Sequence, residues 1–288
     1  MIILVTGSEG FVGLALRNGL IESGHSVMDF DIPQYNILKL SDLDRIKHAD
    51  MVVHSAAIAN LNETAADPFK TYETNVRGTY NVAMKCKELN KRLIYISTCC
   101  VYGPHSGMRA TESLLPLPIE FYARSKLAGE PIAQEARAIS LRLGTVYGPG
   151  MRDALFNSIV LRSLRDDKPF EVFGDGSASR NYIYIDDLVD AIVSSIDNFD
   201  EIYSLKSDNR VINLAGDEII NLDDVVEVAE KVTGRKANFK KVDPRDMGDY
   251  QEDIVNFLAK RLLFWSPGTN YEDGMRKTWE WLLSKKTV

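Results

Sequence analysis

The chain has 288 residues, 45% of them hydrophobic and 26% charged, with a formal net charge of −7. That is enough apolar material for a large core with a smaller appended unit, and the acidic balance excludes binding to a nucleic-acid backbone, which needs clustered Lys and Arg. The three cysteines, Cys86, Cys99 and Cys100, form no CxxC pair or disulfide framework, and the 4 histidines do not cluster with ligand spacing, so no metal site is expected. With no basic leader, long apolar span, tandem repeat or polybasic tail, the expectation is a cytoplasmic protein without a membrane or nucleic-acid partner.

In chain order, an apolar β-branched run from Ile2 to Val5 leads into Thr6-Gly7-Ser8-Glu9-Gly10-Phe11-Val12-Gly13. A strand feeding a glycine-rich turn that opens a helix lets backbone N–H groups approach a pyrophosphate, with the positive end of the helix dipole facing the charge. Gly7 allows the tight turn, Gly10 leaves room for phosphates, and Gly13 lets the helix pack on the strand. The helix reads from Phe11 to Ser23, with Phe11, Leu14, Ala15 and Ile21 available to a sheet, and Gly24 ends it before a second strand at Ser26 to Phe30. Asp31 follows, placed to accept hydrogen bonds from ribose hydroxyls. Its charge repels a 2′-phosphate, Glu9 adds negative charge, and no Lys or Arg falls between Asp31 and Lys39. The pattern points to NAD rather than NADP.

Further strands at Met51 to His54, Arg92 to Ser97 and Ile139 to Leu143 alternate with helical stretches. The fold class is therefore α/β, a Rossmann-type doubly wound parallel sheet. After Tyr147 the texture changes, through Gly148-Pro149-Gly150, a helical stretch, Phe173-Gly174-Asp175-Gly176 and an aromatic strand from Asn181 to Ile185. Helices at Asp224 to Gly234 and Tyr271 to Leu283 close the chain, with Trp279 and Trp281 as packing residues. The expected division is a dinucleotide-binding domain over residues 1–146 with a returning segment at about 181–215, and a smaller interleaved C-terminal substrate domain from 147–180 and 216–288.

Tyr122-Ala-Arg-Ser-Lys126 places a phenol and an ammonium on one helix face, one turn apart. A nearby lysine charge and the positive nicotinamide ring both favour the phenolate, so that Tyr122 can take a proton from a substrate hydroxyl. At the end of the fourth strand, Ser97 or Thr98 stands where ligands bind in an open parallel sheet, ready to relay that proton or simply to cap the turn. Cys99 and Cys100 read as small fillers, and His54 as a packed strand-end residue.

These residues resemble the extended short-chain dehydrogenase/reductases, in particular the nucleotide-sugar epimerases and dehydratases. Also in order are His54-Ser55-Ala56-Ala57, Asn75-Val76-Arg77-Gly78-Thr79-Tyr80-Asn81-Val82, Val101-Tyr102-Gly103, Arg142 to Pro149, and Arg180-Asn-Tyr-Ile-Tyr-Ile-Asp-Asp187. The resemblance implies that Phe11 and Val12 lie by the pyrophosphate, Asn36 and Ile37 by the adenine, and Ser55, Ala56, Ala57 and Asn75 with the dinucleotide. It implies catalytic roles for Tyr122, Lys126 and Thr98, and a nucleoside diphosphate held by Arg180 and Arg245, with Thr145 at the sugar. It further implies a homodimer built on the helices containing Asn81 and Lys126.

Three departures qualify the transfer. Gly144-Thr145 stands where a bulky residue and Asn are usual, and Phe257-Leu258-Ala259 replaces a Ser-Lys-Ala motif. The family's dehydratases carry an Asp-Glu pair directly after the catalytic hydroxyl, whereas this chain has Cys99-Cys100, which disfavours 4,6-dehydration. The implied activity is 4-epimerisation of a UDP-sugar. A reductase or oxidative decarboxylase on a related nucleotide sugar shares the same triad, and a non-catalytic dinucleotide sensor shares the fold.

Overall fold

A computed structural model describes residues 1–105, 107–205, 210–244 and 251–285. The first half runs β1 (Ile2–Thr6), α1 (Phe11–Glu22), β2 (Ser26–Phe30), β3 (Met51–His54), α2 (Leu61–Ala66), α3 (Pro68–Tyr72), α4 (Gly78–Glu88), β4 (Arg92–Thr98), α5 (Phe121–Gln134) and β5 (Arg137–Leu143). The second half continues with β6 (Thr145–Tyr147), α6 (Phe156–Asp166), β7 (Phe170–Phe173), β8 (Ser179–Tyr184), α7 (Ile185–Asp197), α8 (Phe199–Ser204) and β9 (Val211–Leu214). It ends with β10 (Ile219–Asn221), α9 (Leu222–Thr233), β11 (Phe239–Val242), α10 (Phe257–Leu263) and α11 (Tyr271–Ser284).

Six strands form one parallel sheet in the order β2-β1-β3-β4-β5-β9. Because side chains alternate across a strand, each one feeds two cores. Ile3, Val5, Val53, Ile94 and Ile139 face the side covered by α1 and α7, while Leu4, Val52, Leu93 and Ala138 face the side covered by α4 and α5. Both faces being covered explains why these strands read as continuous apolar runs rather than alternating ones. From β1 the chain winds outward to β2 and then returns across to β3. The direction of winding therefore reverses between β1 and β3, and a crevice opens there at the carboxyl ends of the strands.

The α1 face differs from the sequence expectation. Leu16 and Leu20 are buried, whereas Leu14 is 45% and Ile21 54% exposed; Phe11 and Ala15 do pack against the core. The helix is apolar on several sides, so periodicity alone does not choose its face. Close approach chooses it: a Cβ on Gly19 would fall 2.2 Å from Val189 Cγ1 of α7.

The aromatic strand expected at Asn181 to Ile185 is β8, and it pairs with β6 and β10 in a separate three-stranded sheet rather than with the large one. Of the returning segment, it is β9 that joins the large sheet and α7 that covers it. A two-stranded ribbon of β7 and β11 completes the smaller layer. Trp279 is buried among the core residues and Trp281 packs against them, as packing residues do. Among the described residues no helix is long and apolar enough to cross a membrane.

Candidate active site

At the crevice lies a cleft of about 1190 Å³, lined from both halves of the molecule. Its floor begins with the glycine turn. Gly7 sits at φ +73, and a Cβ there would meet Ala56 backbone atoms at 2.8 Å, while a Cβ on Gly13 would lie 2.0 Å from the Gly7 carbonyl oxygen. Gly10 is the N-cap of α1, without a side-chain cap or an acidic residue in the first turn. The leading N–H groups of the helix therefore keep their pull on an anion.

Asp31 closes this turn from the end of β2. Its two oxygens accept from the Glu9 N–H at 2.9 Å and the Ile32 N–H at 2.8 Å. A carboxylate has about four lone-pair sites, so acceptor capacity remains for a pair of ribose hydroxyls. Asn36 and Ile37 line the cleft beyond it, beside Tyr35, whose hydroxyl accepts from Arg45 at 2.8 Å. Ser55, Ala56 and Ala57 line it on the other side, and small residues there leave room for a flat ligand. These features fit a dinucleotide.

Asn75, expected with the dinucleotide, is not among the residues that line the cleft. It is fully buried and away from the cleft lining; its amide nitrogen donates to the Ile58 carbonyl and the Ser125 hydroxyl, both at 2.9 Å, and its oxygen accepts from the Ile58 N–H at 2.8 Å. Ser125 in turn donates to the Tyr122 carbonyl at 2.7 Å. Asn75 thus ties the loop after β3 to the helix that carries Tyr122. His54 is likewise structural, hydrogen-bonded to Thr6 at 2.7 Å and Thr79 at 2.9 Å. Burial, with the Lys126 charge adding to it, depresses its pKa to about 3, so it is neutral.

Tyr122 and Lys126 face the cleft from successive turns of α5, with Thr98 opposite them at the end of β4. The choice between Ser97 and Thr98 is resolved by geometry. Ser97 donates to Glu130 at 2.7 Å, within a buried ion pair in which Glu130 receives Arg142 at 2.9 and 2.7 Å. Thr98 lines the cleft beside Tyr122, and its hydroxyl accepts from the Cys100 N–H at 3.2 Å. Burial raises the phenol's pKa, and the Arg152 charge and Thr98 oppose that rise. Lys126, expected to favour the phenolate together with the nicotinamide ring, is itself depressed from 10.5 to about 7 by burial, against the attraction of Glu130.

The substrate end is built from side chains. Gly144 and Thr145 line it, and a Cβ at 144 would fall 2.7 Å from the Asn181 carbonyl oxygen, so the approach of β8 dictates glycine there. Arg180 lines the cleft too, but its Nε lies 3.6 Å from the buried Glu252 and its Nη1 donates to the Ser179 carbonyl at 2.7 Å. Arg245 falls outside the described residues. Among the lining residues not singled out from sequence are Arg152 and Glu120. The one signal for Glu120 is an isolated acid closing the apolar run Leu114 to Ile119 just before the tyrosine.

A dinucleotide-type fold thus gathers Tyr122, Lys126 and Thr98 in one cleft at its switch point, the arrangement expected of a dehydrogenase-like enzyme. Residues 3–215 match the NAD dependent epimerase/dehydratase family; the chain belongs to it, and NAD is its cofactor. The chain is 26% identical to UDP-glucuronate 4-epimerase of Thermodesulfobacterium geofontis, over 99% of this chain and 96% of that protein. It is 28% identical to dTDP-glucose 4,6-dehydratase of Salmonella typhimurium, over 99% and 93%. The structure of UDP-glucuronic acid 4-epimerase from Bacillus cereus, with UDP-glucuronic acid and NAD, superposes with a TM-score of 0.88 at 27% identity, covering 99% of each chain.

Proposed function

We propose that this protein is an NAD-dependent 4-epimerase of a UDP-sugar. The observation that carries the reading is the convergence on one cleft of the glycine turn with the Tyr122, Lys126 and Thr98 group, combined with the absence of an acid directly after Thr98. Tyr122 takes the proton of the sugar's C4 hydroxyl, which Thr98 holds in line with the phenol. NAD, which the Gly7–Gly13 turn and Asp31 would hold, would supply the hydride acceptor and donor for C4, and its ring charge would favour the Tyr122 phenolate that burial otherwise opposes. Tyr122 then gives the proton back to the C4 oxygen, now on the inverted carbon. Asp31 holds the adenosine ribose, and Arg180, Arg152 and Arg245 hold the diphosphate of the substrate.

Cys100, whose thiol burial pushes up to about 12, and Cys99, which donates to the Arg142 carbonyl, do not replace the Asp-Glu pair of a dehydratase. The reading includes a cytoplasmic homodimer joined through α4 and α5, where Tyr80 is 52% exposed; gel filtration at the mass of a single chain overturns that part.

The deciding experiment is proton NMR of UDP-, dTDP- and GDP-sugars, UDP-glucuronate included, incubated with the protein and catalytic NAD while NADH absorbance is followed. A new C4 isomer of a UDP-sugar without net NADH is expected. NADH accumulating with a keto product or a lost carboxylate overturns epimerisation in favour of an oxidative decarboxylase.

A further inference from the structure

The substrate end of the cleft contains a carboxyl that the chemistry above leaves unused. Glu120 immediately precedes α5, two residues before Tyr122, and lines the cleft while only 7% exposed. It does not cap the helix, since its side chain makes no cap hydrogen bond. Its Oε2 is buried and finds no donor among the described residues. Buried carboxyl oxygens are normally satisfied, so one left open in a ligand cleft marks a place where a ligand's donor belongs.

The neighbouring charges set what kind of donor. Burial raises the Glu120 pKa, the Arg180 charge draws it down, and Glu252 pushes it up again. Glu252 is itself 3% exposed and stands 3.6 Å from Arg180, so that guanidinium already faces a buried acid. The same acids both act on Cys100 at the cleft wall, and Glu120 acts on the Tyr122 phenol. A ligand group entering here meets the Glu120 carboxyl and an arginine already engaged by the buried Glu252 behind it.

We propose that Glu120 is a specificity residue that accepts a hydrogen bond from a hydroxyl or amide N–H of a neutral sugar and rejects nucleotide sugars whose sugar bears a carboxylate. The inference rests on the nucleotide-sugar reading of the cleft. A sugar whose C4 hydroxyl lies at Tyr122 brings its C3 and C6 substituents beside that residue, and a uronate would set like charges against each other there. The relatives compared above include enzymes of UDP-glucuronate, and the proposal gives this chain the opposite preference.

Calorimetric titration of the NAD-loaded protein with UDP, UDP-glucose and UDP-glucuronate tests it, in the wild type and in Glu120→Gln. The expected result is UDP-glucose binding at least about tenfold more tightly than UDP-glucuronate, with the ratio falling to about threefold or less in Glu120→Gln through a gain for the uronate. Unchanged NAD affinity and melting temperature in the variant show that the fold is intact. Equal or tighter binding of UDP-glucuronate by the wild type, or a ratio unmoved by the variant, overturns the proposal, as does failure of UDP itself to bind. A binding preference for UDP-glucose with turnover of neither sugar supports this inference and overturns the epimerase reading; faster turnover of the uronate does the reverse.

Discussion

The two ends of the cleft are built on different principles. The cofactor end is a backbone device. Gly7, Gly10, Gly13, Ala56 and Ala57 present main chain and empty space, and Asp31 adds one carboxylate latched to the turn by the Glu9 N–H. The substrate end is a side-chain device, assembled from Thr98, Glu120, Tyr122, Thr145, Arg152 and Arg180 on separate segments, with Arg180 already facing the buried Glu252. A backbone device recognises a group that many proteins share, the dinucleotide pyrophosphate. A side-chain device decides which sugar reacts and how, and a single substitution can redirect it.

That contrast predicts separable failures. Tyr122→Phe removes the reacting oxygen while leaving the ring in place, so kcat falls by about 10³ while the affinities for NAD and UDP-sugar stay within about threefold; steady-state kinetics with calorimetry on the same samples checks this, and near-normal turnover sinks the mechanism. Gly13→Ala should do the opposite. Its methyl would sit 2.0 Å from the Gly7 carbonyl oxygen and 2.9 Å from Ser8 Cα, so the turn itself must shift. NAD affinity is expected to fall by about 100-fold and stability by about 1–3 kcal/mol, with UDP affinity preserved. Loss of UDP binding in step with NAD would show that the two ends are not independent.

The same contrast explains what the sequence made legible. The glycine turn, the central strands and the Tyr-x-x-x-Lys pair are set by residues within a few positions of each other, and local spacing reveals them. The α1 face was misread because an all-round apolar helix carries no phase, and its orientation follows from Gly19 meeting Val189 of a distant helix. Asn75 sits inside a family-like motif, yet its side-chain hydrogen bonds go to Ile58 and Ser125, a brace that exists only once the loop after β3 and α5 are folded together. Arg152 and Glu120 drew no notice because a charge in a loop or at a helix start is ordinary in sequence. Only the convergence of β4, α5, β6 and β8 gives them a cleft to line.

Lys126 sits between the two devices, and its titration offers the finest test. The residue is 2% exposed, its ammonium lies 4.2 Å over the Tyr95 ring, and burial depresses its pKa from 10.5 to about 7 despite Glu130. Between those two values the unfolded lysine holds a proton that the folded one has released, so the unfolded state binds more protons and stability rises with pH. That contribution is present above 10.5 and is lost as pH falls toward 7. Burial of the Cys86 thiol, from 9.0 up to about 12, works the other way once pH passes about 9, because the unfolded thiol then gives up its proton first. The window from pH 7 to 8.5 therefore belongs to Lys126. Denaturant midpoints of cofactor-free protein across it should rise by the equivalent of about 1–2 kcal/mol in the wild type and stay flat in Lys126→Met. Equal slopes in the two proteins would mean that the lysine keeps its charge through neutral pH, and the pull on the Tyr122 phenolate would then come from Lys126 as well as from the cofactor ring.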